Sequence, residues 1–126
     1  MKREKLTTHF YRDEFEVEGC DVRIDLYLVR VCQAIRTAWG APVYITSGVR
    51  TLAHNIEVGG SPNSSHLRGL AVDISDNNKG EMLSSRFRYV VLDVLLSMGI
   101  RRAGLADTFI HFDVDKEKGQ DVIWTY

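Results

Sequence analysis

The chain has 126 residues and 14.3 kDa, the size of one globular domain able to bury a core without disulfide staples. With 44% hydrophobic and 26% charged residues it is neither disordered nor of low complexity. Sixteen basic against seventeen acidic side chains leave a net charge of −1, which argues against a nucleic-acid surface, since such surfaces are strongly basic. The opening Met1-Lys2-Arg3-Glu4-Lys5-Leu6 has no apolar run after its charges, so no signal peptide is read and synthesis is expected in the cytoplasm. Residues 1–20 are polar and mixed. His9-Phe10-Tyr11 and Phe15 read there as aromatic anchors of an N-terminal arm packing on a single domain over 1–126. From Ile24 to Trp39, Leu28, Val31, Cys32, Ile35 and Trp39 fall at helical spacing; Gly40 ends this helix and Pro42 prevents its return. Cys20 and Cys32 read as free thiols, Cys32 as a small core hydrophobe.

Val43-Tyr44-Ile45-Thr46 is a short β-branched strand, and Leu52 to Val58 a short helix closed by Gly59-Gly60. Gly69 to Ile74 reads as a second, buried strand. Phe87, Val90, Val91, Val94 and Met98 mark a second long helix, stopped by Gly99. Strands follow around Ile100-Arg101, Phe109 to Val114 and Val122 to Trp124. The expected fold is α+β, a small, mainly antiparallel sheet packed against two long helices. Apolar runs such as Val90-Val91-Leu92 are far below the ~20 residues of a membrane span.

Chemistry concentrates at the strand edges. His66, Asp73 and His111 offer two imidazoles and a carboxylate, a set that holds catalytic zinc while leaving a fourth position open. Asp73 lies inside the apolar run Leu70-Ala71-Val72-Asp73-Ile74, where a carboxylate is costly unless a cation or donors offset it. Each residue also has a plainer reading. His66 could sit on the surface, Asp73 could end its strand in a turn with Asn77 and Asn78, and His111 could occupy a wet face.

Several runs carry a resemblance: Thr46-Ser47-Gly48-Val49-Arg50-Thr51, His54-Asn55, Gly59-Gly60, Asn63-Ser64-Ser65-His66, Gly69, Ala71, Asp73-Ile74 and Phe109-Ile110-His111-Phe112-Asp113. Together they resemble the zinc D-alanyl-D-alanine carboxypeptidase family, which includes vancomycin-resistance dipeptidases, peptidoglycan endolysins and the hedgehog signalling fold. The pattern S-x-H-x-x-G-x-A-x-D with a distant F-[IV]-H is specific, and S-G-x-R precedes it. Closest is the compact phage and bacterial subgroup, through Leu6-Thr7-x-His9-Phe10 with Glu14-Phe15 and through Val122-Ile123-Trp124. The resemblance implies a hedgehog/DD-peptidase-like fold. It makes His66, Asp73 and His111 the ligands of Zn2+, and Arg50 the group that binds a substrate carboxylate or steadies the oxyanion. A guanidinium presents a planar fork suited to that task. Ser65 and Asn55 are placed with Arg50 on the substrate-binding side, ordering its loops.

The pattern departs at one point. Many relatives carry an acidic general base three positions before the last histidine, and some a histidine two before it; here those positions are Thr108 and Phe109. Asp107 and Asp113 flank His111 instead. Both share the face of His111 by strand parity. Asp107 lies four residues upstream in what reads as the preceding loop, and the compact subgroup's F-[IV]-H-x-D pattern, matched through Asp113, makes Asp113 the expected base and Asp107 the runner-up. The implied function is a zinc metallopeptidase cutting an amide bond in peptidoglycan stem peptides, a phage or prophage cell-wall hydrolase that reaches its substrate after phage-type release. A monomer is assumed. The alternatives are a non-catalytic zinc-containing binding or virion module, and a cytoplasmic D,D-dipeptidase.

Overall fold

A computed structural model describes residues 3–126, so Met1 and Lys2 of the expected arm and leader reading lie outside the described residues. The elements are α1 (Leu26–Trp39), β1 (Tyr44–Ser47), α2 (Leu52–Glu57), β2 (Ala71–Ser75), α3 (Ser85–Ser97), β3 (Arg102–Leu105), β4 (Ile110–Asp113) and β5 (Val122–Thr125), with 3-10 turns at Arg12–Glu14 and Ser65–Arg68. The five strands lie in the order β1-β2-β4-β3-β5. All pairings are antiparallel except β3 with β5. The fold is α+β with a mostly antiparallel sheet, as the element order implied.

Two helices make the second layer. Asp25 caps α1 by accepting the Tyr27 N–H, so the helix starts at Leu26 rather than Ile24. Leu28, Val31, Cys32 and Ile35 are buried on its inner face, and α3 answers with Phe87, Val91 and Leu95 at four-residue spacing. Trp39 meets Phe87 edge-on, ring centres 5.1 Å apart. These helices have 14 and 13 residues, short rather than long as expected. The strand expected at Ile100-Arg101 begins at Arg102, because the Ile100 N–H is spent on the Leu95 carbonyl at the end of α3. Both cysteines are free, Cys32 fully buried and Cys20 half-buried. Among the described residues, no helix is long and apolar enough to cross a membrane.

The two sheet faces differ because strand residues alternate. Val72 and Ile74 of β2, Ile110 and Phe112 of β4 and Ala103 of β3 join the helices in one apolar cluster. The alternate residues Asp73, His111 and Asp113 are polar and still buried. The arm closes one end of the core. Phe10 and Phe15 are buried edge-to-face at 5.8 Å, and the Phe15 carbonyl accepts the Val49 N–H; His9 of the expected anchors is exposed. Glu16 ties the arm down, accepting from Arg12 (2.7 Å), Arg23 (2.8 Å) and the Ile24 N–H (3.0 Å).

Candidate metal centre

Strand register lays the polar residues in a line across the sheet. Ser47 faces Asp73, Asp73 faces His111, His111 faces Gly104, and Gly104 faces Trp124. His66 is delivered from outside the sheet, on the 3-10 turn Ser65–Arg68. The Ser64 hydroxyl accepts the His66 N–H to start that turn, and Gly69 closes it with φ +71°. A side chain at 69 would be strained by that backbone and would begin 2.1 Å from the Arg23 carbonyl. Glycine therefore lets the chain turn sharply from His66 into β2.

The donor atoms are sorted by their outer partners. His66 Nδ1 lies 2.7 Å from the Gly48 carbonyl, which can only accept, so that nitrogen donates to it. Nε2 stands 3.2 Å from Asp73 Oδ1. His111 Nδ1 is 2.9 Å from the same oxygen, while its Nε2 meets Asp113 Oδ2 at 2.8 Å. One ligand atom from each of His66, Asp73 and His111 lies within 4.8 Å of the others. Two nitrogens and an oxygen converging this closely fit a divalent metal of zinc type. Their outer hydrogen bonds are those that fix a ligating imidazole.

The electrostatics follow the same contacts. Burial pushes the Asp73 carboxyl up, but hydrogen bonds from His111 and His66 outweigh it and hold the group at about 2. Burial lowers the basicity of His111, and Asp113 and Asp73 more than restore it, so its pKa is raised. Asp113 is driven up by burial and down, net, by His111 and the Asp115 N–H. The cluster holds a carboxylate ready for a cation.

Arg50 stands beside it, Nη2 3.6 Å from Asp73 Oδ2, with Nε donating to Ser47 (3.1 Å) and Nη1 to Asn55 (3.3 Å). Asn55 is buried and donates in turn to the Ser61 carbonyl. Arg50 also lines a cleft of about 530 Å³ with Glu18, Cys20, Val22, Leu52 and Leu67. Ser65 points elsewhere, donating to the fully buried Asp115 (2.7 Å) and accepting from Lys118 (2.9 Å). Arg68 also binds Asp115.

The structure thus joins His66, Asp73, His111, Arg50, Asn55 and Asp113 in one contact network. Asp107 is exposed at the β3–β4 turn, its carbonyl taken by the Leu83 N–H (2.8 Å) and Arg88 (3.2 Å). Asp113 meets His111 on the ring nitrogen facing away from Asp73, and its other oxygen accepts from Arg102 (2.8 Å) and the Asp115 N–H (3.1 Å). Sequence reasoning missed Asp115 and gave no role to Arg102, Gly104 or Trp124. Strand alternation from Gly104 would have placed Arg102 on the polar face.

A family model described as Peptidase M15 matches residues 6–113. No curated protein matches the chain. A His-Asp-His cluster suited to a metal therefore lies within a match that covers most of the sequence, and the chain belongs to the Peptidase M15 family, the zinc D-Ala-D-Ala carboxypeptidase-like metallopeptidases.

Proposed function

We propose that the chain is a zinc metallopeptidase hydrolysing an amide bond in peptidoglycan stem peptides, made in the cytoplasm and acting on the wall after phage-type release, with residues 1–126 as its one domain. The observation that carries the reading is the sorting of nitrogens. His66 Nε2 and His111 Nδ1 turn to Asp73, while the opposite nitrogens are bound by Gly48 and Asp113. Zinc in such a site supplies Lewis acidity and an activated water. Arg50, anchored through Ser47 and Asn55, leaves its Nη2 edge beside Asp73 to orient a substrate carboxylate or oxyanion. In this reading Asn55 and Ser65 order the site without touching substrate.

Asp113 takes a different part here from the base expected of it. Both its oxygens are engaged, one by His111 and one by Arg102, so it acts as a positioning residue that fixes the imidazole. Asn substitution tests this. A positioning role predicts a loss of zinc affinity of about 10–100-fold; zinc retained with a loss of roughly 10²–10⁴-fold in kcat would return Asp113 to the base. The same engagement, with Thr108 at the position acidic in many relatives, favours one second reading, a zinc-holding binding module.

The deciding experiment is digestion of purified peptidoglycan by the zinc-loaded protein, with released termini read by mass spectrometry. Hydrolysis beside a D-amino acid is expected, together with about one zinc per chain by elemental analysis. Zinc without hydrolysis would make the chain a binding module. Zinc content undiminished in His66→Ala would remove the ligand set.

A further inference from the structure

His111 and three other side chains close a ring of contacts. Asp113 holds the imidazole Nε2 at 2.8 Å, and Arg102 Nε holds Asp113 at 2.8 Å. The Arg102 guanidinium carbon lies 5.0 Å from the centre of the Trp124 ring, and that ring lies 5.4 Å from the imidazole, tilted by 49°. Each member touches two others. The ring closes only because position 104 has no side chain: a Cβ there would lie 2.5 Å from Trp124 Nε1 and 2.6 Å from Cε2. Gly104 is not in the left-handed region, so its bareness serves the indole rather than the backbone.

β5 has little other packing to offer. Val122 is 39% and Ile123 51% exposed, and Trp124 is the one half-buried residue of the strand. The strand pairs in parallel with β3 at the register that seats the indole opposite Gly104. It lies beyond residue 113, where the family match ends. A strand adding so little to the core and yet aligned on His111 has a use at the site.

We propose that Trp124 and Arg102 are positioning residues for His111: the indole packs against the imidazole, Arg102 locks the Asp113 carboxylate behind it, and Gly104 is bare to admit the indole. The imidazole is then held at Nε2 by Asp113 and against its ring by the tilted indole, which fixes the direction of Nδ1. This rests on the reading of His111 as a metal ligand, but the pose of the ring can be measured without metal.

The test is a double-mutant cycle of Gly104→Ala and Trp124→Ala, with Trp124→Phe as the conservative variant. Zinc affinity is measured by chelator competition, and the His111 ring protons by NMR in the metal-free protein. Each Ala variant should weaken zinc by about 10–100-fold. The double variant should be no weaker than Trp124→Ala, because the methyl then enters vacated space. Trp124→Phe should stay within about threefold, having kept a ring on the imidazole. In metal-free protein, indole-to-imidazole contacts should be lost in Trp124→Ala and displaced in Gly104→Ala. Additive losses, or unchanged affinity and ring signals in the Ala variants, overturn the proposal. If the parent binds no zinc, the metal reading fails while the NMR comparison still decides the pose. Should Trp124→Ala not fold, Gly104→Ala alone against Trp124→Phe decides, since equal effects from both would refute the packing of the indole on the imidazole.

Discussion

Glu16 and Asp73 are both nearly buried carboxylates ringed by nitrogen, and they are built for opposite ends. Around Glu16 every partner is a donor that completes it: two guanidinium N–H groups and a backbone N–H, each at 2.7–3.0 Å. Around Asp73 two of the partners are imidazole nitrogens that can exchange a proton for a metal, and the third, Arg50, stands off at 3.6 Å. The first carboxylate is saturated and holds the arm to the domain. The second is met by two imidazole nitrogens converging on one oxygen. Burial and charge alone do not distinguish them; the chemistry of the partners does.

Substitutions at the two sites should therefore separate metal binding from stability. Asp73→Asn should have the largest effect, weakening zinc beyond the 10–100-fold that outer partners of a ligand typically contribute, with titration calorimetry as the measurement. Near-parental affinity would break the contrast, leaving Asp73 as structural as Glu16. Arg50→Lys should leave zinc in place and lower kcat/KM by roughly 10–1,000-fold, about 1.4–4 kcal/mol of transition-state stabilisation, because an ammonium cannot replace the fork. Steady-state kinetics within twofold of the parent would take Arg50 out of the site.

Glu16→Gln is expected to be the mirror case, with metal affinity unchanged and stability lower by about 1–3 kcal/mol at neutral pH in denaturant titrations. Burial raises the Glu16 carboxyl, but Arg23, the Ile24 N–H and Arg12 together pull it below its ordinary value. A carboxyl depressed on folding contributes stability that is fully present above the ordinary value of 4.5 and is lost as the pH falls through the folded one. The gap between parent and variant should accordingly close under acid. A gap independent of pH would mean that Gln fails by shape rather than by charge.

Much of this arrangement was legible in the chain. Helical spacing located α1 and α3 within two residues, because their apolar stripes face a single core. The aspartate inside an apolar strand was informative because such a placement needs a compensating group, and His66 and His111 provide it. What stayed hidden depends on partners far away in sequence. Nothing local marks Asp115 as fully buried, since Ser65 and Arg68, which bury and bind it, come some fifty residues earlier. Parity placed Asp113 on the face of His111 but not on which ring nitrogen it would act; Arg102, eleven residues upstream, shares it.

The pairing of β2 with β4 has a kinetic side as well. Asp73 and His111 are direct register partners separated by 38 positions, with the whole of α3 threaded between them. No short segment of the unfolded chain can gather the three ligands, and long-range antiparallel pairing is among the slower steps of folding. An ion that needs all three ligands would bind the closed sheet in preference to the unfolded chain, and would stabilise the folded molecule by that difference.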